Sequence, residues 1–118
     1  MIELKLFFLL LFLVPPKIIM ADSITARAGT KMVIEAIVAG KPPPFCKWRQ
    51  GAEDVLTSDR LVVHKTPTTC MMTIKNITRK DSGYYSLSVE NSTARINQIL
   101  KVVVMGMFNI KSCHSYHN

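Results

Sequence analysis

The chain has 118 residues, enough for one small core and too few for two. Hydrophobic residues make up 48% and charged residues 19%, which excludes the disordered and collagen-like classes. The formal net charge is +7, but the cations are scattered without a run of five, which argues for solubility rather than nucleic-acid binding.

The chain opens on MIELKLFFLLLFLV, where nine apolar residues run unbroken from Leu6 to Val14. That is too short to span a bilayer as a helix and long enough for a signal-peptide core. Its flanks depart from a signal: Glu3 offsets Lys5, no A-x-A site follows, and Pro15-Pro16 stands where a cleavage region would begin. Residues 1–14 are therefore expected to be an apolar leader, or a flank unrelated to the rest.

Strand-like segments follow. Met32, Ile34, Ala36 and Val38 alternate with other residues up to Gly40. Pro42, Pro43 and Pro44 then remove three backbone donors in a row, so a loop or sheet edge is expected. Residues 45–49 read as a strand with Cys46 and Trp48 on one face, ended by a turn at residues 50–52. Residues 61–64 and 70–75 read as two more strands, the second with Cys70, Met72 and Ile74 aligned. After a turn at residues 81–83, Tyr85, Leu87 and Val89 alternate with Tyr84, Ser86 and Ser88. A long strand over 96–105 aligns Leu100, Val102 and Val104. About seven strands over roughly 90 residues predict an all-β, two-sheet sandwich around Trp48.

Residues 106–118 have no period and are expected to form an unstructured tail. Cys113, His114 and His117 fall within it but lack the spacing of a four-ligand metal set. His64 is the sole histidine inside the expected domain, on a short strand. No Ser-His-Asp or Cys-His set can be assembled, and no Gly-rich phosphate loop occurs. The sequence thus predicts no enzyme, no cofactor, no metal and no small-molecule substrate.

Three motifs carry a family resemblance. An alternating strand ends Val38-Ala39-Gly40-Lys41-Pro42-Pro43-Pro44; Trp48 follows the glycine by eight residues; and Asp81-Ser82-Gly83-Tyr84-Tyr85 precedes Glu90-Asn91-Ser92. Over residues 15–105 the chain resembles an intermediate-type immunoglobulin domain. In wording it is similar to the titin, myosin-binding protein C and myomesin group, above all to modules of titin's thick-filament region. PPKIIM, TARAGTK, TRKDSGYYSL and KVVVM carry that likeness.

The resemblance implies a sandwich with Ala36, Trp48, Tyr85 and Leu87 in its core. It makes Tyr85 the corner tyrosine, whose hydroxyl returns to the backbone. It pairs Arg60 with Asp81 across one end. Ala36 and Leu87 stand where disulfide-bonded members carry cysteines, so the inter-sheet disulfide cannot form. Disulfides persist in oxidising compartments, which favours a cytoplasmic, sarcomeric location for a chain without one. Cys46 and Cys70 are expected as small buried hydrophobes. Ala94 stands where the family places a positive-φ glycine, so a rearranged turn is expected there.

The function implied is structural and protein-binding: one repeat or fragment of a titin-like filament protein, loaded through its start and end strands, around Ile24–Arg27 and Ile99–Val104. Its partners would be neighbouring immunoglobulin and fibronectin modules and thick-filament proteins such as myosin. Lys41, Lys47, Arg49, Lys75, Arg79 and Lys80 are candidates for a basic contact surface. A second reading rests on Asn76-Ile77-Thr78 and Asn91-Ser92-Thr93, both N-x-[ST] triplets. With a working leader they would make the chain a secreted or cell-surface recognition domain, glycosylated at Asn76 or Asn91.

Overall fold

A computed structural model describes residues 13–106. The expectations for residues 1–12 and 107–118, including the Cys113, His114 and His117 tail, lie outside the described residues.

The period-two pattern becomes strands whose alternate side chains enter one core. The strands are β1 (Val14–Ile19), β2 (Ser23–Arg27), β3 (Met32–Lys41), β4 (Phe45–Gln50), β5 (Glu53–Asp54), β6 (Leu61–Lys65), β7 (Thr69–Ile74), β8 (Gly83–Glu90) and β9 (Arg95–Met105). They form two sheets, in the orders β1-β3-β7-β6 and β2-β9-β8-β4-β5. The fold is an immunoglobulin-like sandwich.

Burial follows the alternation. Met32, Ile34, Ala36 and Val38 of β3 face Cys46 and Trp48 of β4, Tyr85, Leu87 and Val89 of β8, and Leu100, Val102 and Val104 of β9 in one cluster. Cys70, Met72 and Ile74 complete it from β7. The residues between them point to solvent because a strand turns its side chains to opposite faces.

Two of these strands were not read from the sequence. In β1, Pro15 and Pro16 break the usual signal, yet the strand lies at a sheet edge, where a missing N–H is tolerated. Its register with β3 shifts between Val14 and Lys17, across the two prolines. β5 has only two residues, both acidic and exposed. The expected turn at residues 81–83 is also displaced. A single 3-10 turn occupies Arg79–Asp81, and Gly83 already belongs to β8.

The chain runs from one pole of the sandwich to the other. β1 begins beside Lys41, while β2 pairs in parallel with β9, Ser23 opposite Lys101 through Arg27 opposite Met105. Lys101 N donates to Asp22 O at 2.9 Å and Ala28 N to Met105 O at 2.7 Å, framing that ladder. The first described residues therefore lie at the Pro42 pole and the last at the Arg79 pole. Gly106 packs against Arg79 there.

Candidate functional site

The C-terminal pole is closed by a charged knot. Arg60, just ahead of β6, donates Nη1 to Asp81 Oδ2 at 2.9 Å and Nη2 to Asp81 Oδ1 at 2.8 Å. The guanidinium fork matches the two carboxylate oxygens, the geometry in which such pairs are strongest. Asp81 Oδ2 also accepts from Thr78 N at 2.8 Å, and Thr78 Oγ1 accepts from Lys80 N, a capping box around the 3-10 turn. The Asp81 backbone oxygen accepts the buried Tyr85 hydroxyl at 2.8 Å. One aspartate thus joins the approach to β6, the 3-10 turn and the start of β8.

The ionisation of these groups follows from their contacts. The Arg60 guanidinium holds the Asp81 carboxyl below its ordinary range, with help from Thr78, against the opposing effect of burial. Burial, reinforced by the Asp81 charge, pushes the Tyr85 phenol up to about 12. The pair is locked as an ion pair beside a neutral phenol, so it is built to hold rather than to transfer protons.

The N-terminal pole is closed by a neutral knot. Asn91, after β8, donates Nδ2 to Val14 O at 2.8 Å and to Pro42 O at 3.2 Å. Its Oδ1 accepts from Thr93 N at 2.9 Å, Thr93 Oγ1 at 2.7 Å and Ala94 N at 3.3 Å. This Asx turn shapes the β8–β9 hairpin without a positive φ at Ala94; Asn76 is the one non-glycine residue with positive φ among those described. Gly40 fits under the knot because it has no side chain. At φ +153 an added Cβ would stand 3.1 Å from Asn91 Nδ2 and 3.2 Å from Pro16 Cα.

The two N-x-[ST] asparagines therefore differ. Asn76 is exposed in its turn, whereas the amide of Asn91 is engaged on both sides. The clamp at Asn91 escaped the sequence because its partners are backbone oxygens 77 and 49 residues away. The cap at Thr78 was more legible, since Thr78-Arg79-Lys80-Asp81 has the spacing of a capping box.

Between the poles the sheets meet without a covalent link. Ala36 and Leu87 are fully buried, and Cys46 and Cys70 are buried free thiols on facing sheets. Burial raises the pKa of both thiols, to about 12 for Cys70, so they remain protonated and unreactive. Trp48 lies beside Cys70, its indole nitrogen buried and without a hydrogen-bond partner among the described residues. Lys65 ties the open side of the sandwich, donating from β6 to Cys46 O on β4 at 2.6 Å and standing 4.9 Å from the Phe45 ring centroid.

The six candidate cations do not form one surface. Lys47 and Arg49 share Asp54 on the outer face of the five-stranded sheet, at 2.9 and 3.2 Å. Lys41 lies at the N-terminal pole, while Lys75, Arg79 and Lys80 surround the C-terminal knot. The alternation that set them outward carried no information on which strands become neighbours. Among the described residues, no group of three His, Cys, Asp or Glu side chains is placed to hold a metal.

The immunoglobulin I-set domain profile matches residues 16–104. The chain belongs to the immunoglobulin I-set family. The human SPEG neighbor protein is 35% identical over 83 residues, covering 70% of this chain and 35% of that protein. Human slow-type myosin-binding protein C is 32% identical over 97 residues, covering 77% of the chain and 8% of that protein. Bovine contactin-1 is 31% identical over 85 residues, covering 72% of the chain and 8% of that protein. The chain thus spans about a third or less of these relatives. Among solved structures, titin domains Z1Z2 in complex with telethonin superpose with a TM-score of 0.75 at 24% identity, over 80% of this chain and 48% of that one. This I-set domain is therefore related to sarcomeric and to contactin-type proteins alike, in a family of structural and binding modules.

Proposed function

We propose that this domain is a non-enzymatic, tension-bearing and protein-binding module of a titin-like sarcomeric filament protein. The parallel β2–β9 ladder carries the proposal. β2, which follows the edge strand β1, runs alongside the last strand, β9, in the same direction, while the chain comes in at one pole and leaves at the other. A pull on the ends therefore shears the whole ladder at once instead of peeling it bond by bond. The polar knots at Asn91 and Asp81 fasten the ends, and packing around Ala36, Trp48, Tyr85 and Leu87 holds the sheets without a disulfide. Such a core suits a reducing cytoplasm. Its partners are adjoining modules and thick-filament proteins such as myosin, supported by the relation to slow-type myosin-binding protein C.

A secreted or cell-surface recognition domain is the second reading. The contactin-1 likeness and the exposed Asn76 favour it. Expression of the 118-residue chain with a C-terminal tag in cultured cardiomyocytes separates the two. The filament reading predicts sarcomeric striations and an unglycosylated mass. Secretion into the medium with a glycan on Asn76 would overturn it.

A further inference from the structure

The outer face of the five-stranded sheet contains a furrow that neither the knots nor the β2–β9 ladder uses. Its floor is β8, where Ser86 and Ser88 point outward between larger side chains on both sides. The register sets Ser88 between Lys47 and Asn97, and Ser86 between Arg49 and Ile99. The resulting concavity is about 460 Å³. Glu90 and Arg95 close one end with an ion pair at 3.3 Å, and Tyr84, exposed opposite Lys101, marks the other.

The charge on this face is not balanced. Lys47 and Arg49 share the single carboxylate of Asp54, Arg95 is matched by Glu90, and Lys101 adds a further cation. Four cations thus stand against two carboxylates, on a chain already at +7. The floor offers serine hydroxyls, which donate to carboxylates, and Ile99 and Phe45 supply exposed apolar rims at 62% and 66% exposure. An opposite face of the sandwich provides the contrast: the four-stranded sheet exposes Ile19, Val33, Ile37 and Val62.

We infer that the β4–β8–β9 furrow docks an extended, acidic segment of a partner polypeptide along β8. Carboxylates at every second residue of such a segment project toward the same side, at a spacing of about 6.8 Å. They meet Arg49 and Lys47 on one wall and Lys101 at the end, while the intervening residues face solvent. An extended chain laid along β8 matches the floor in period, since the outward residues Ser86 and Ser88 repeat at the same spacing of about 6.8 Å as its own alternate side chains. The inference rests on the protein-binding reading above, and specifies where and what it binds.

The test uses the 118-residue chain and two fluorescein-labelled peptides, (Glu-Ser)5 and (Lys-Ser)5, followed by anisotropy at low salt. The acidic peptide is expected to bind and the basic one not. Backbone amide shifts are expected at Ser86, Ser88, Asn97 and Ile99. Ser88→Tyr, which fills the floor without changing charge, and the pair Arg49→Glu with Lys101→Glu are each expected to weaken binding at least tenfold. Arg79→Glu with Lys80→Glu makes the same charge change at the C-terminal pole and is expected to weaken it less than threefold. Equal loss from both double variants, an unaffected Ser88→Tyr, or no binding at all would overturn the inference. Sarcomeric striations in cardiomyocytes together with no peptide binding would sink the furrow and leave the filament reading standing. Peptide binding mapped to the furrow in a chain that forms no striations would support the furrow and sink the filament location.

Discussion

The two poles of the sandwich are closed with different chemistry. At the C-terminal pole Asp81 gathers a guanidinium and a capped turn through its carboxylate and a buried phenol through its backbone oxygen. At the N-terminal pole a neutral amide, Asn91, gathers the start of β1, the Pro42 loop and its own hairpin. Each knot binds segments far apart in the chain. The charged one draws its strength from ionisation, so it answers to pH; the neutral one depends on geometry alone, so it answers to shape.

Removing either central residue should expose that difference. Asp81→Ala leaves the Arg60 guanidinium without its bidentate carboxylate and unmakes the cap, while Tyr85 keeps its backbone acceptor, and should destabilise the domain by about 3 kcal/mol in urea unfolding. Asn91→Ala breaks several neutral bonds in a more exposed place and should cost about 2 kcal/mol. Tyr85→Phe removes a single buried hydrogen bond and should cost about 1.5 kcal/mol. If Asn91→Ala proves the most damaging of the three, the ranking of the poles is wrong.

Acid sharpens the contrast. The folded pKa of Asp81 lies below its unfolded value, so its contribution is complete above about pH 4 and is lost as pH falls through the folded pKa. The stability gap between wild type and Asp81→Ala should therefore narrow under acid. The gap for Asn91→Ala should stay constant, because an amide does not titrate. Parallel narrowing of both gaps in pH-dependent urea titrations would refute the assignment.

The smallest expected effect lies between the poles. In a Cys113→Ser background, Cys46 and Cys70 should resist a maleimide at neutral pH until the domain unfolds, since burial both shields them and keeps them protonated. Labelling of the folded chain at the rate of an exposed thiol would show that the core opens locally.

The sandwich and its core were legible in the sequence because alternation is a local property. Ile34, Ala36, Leu87, Val89 and Val102 declare their faces by their neighbours alone. Arg60 and Asp81 were named only through family likeness, and the structure sets them 2.8 Å apart. The Asn91 clamp and the furrow were not legible. Both depend on which strands become neighbours, and a side chain's outward direction says nothing about what stands beside it. β1 stayed hidden because its prolines mimic a loop, although an edge strand accepts them.

Shear of the β2–β9 ladder is the claim on which the mechanical proposal stands, and single-molecule force spectroscopy of the domain within a polyprotein tests it. The ladder repeats every two residues, so Ala26 donates toward β9 as Ala28 does, while Thr25 turns its N–H away. Ala26→Pro should lower the unfolding force markedly, and Thr25→Pro, one residue earlier, should leave it near the wild-type value. Equal forces for wild type and Ala26→Pro would show that the ladder does not carry the load.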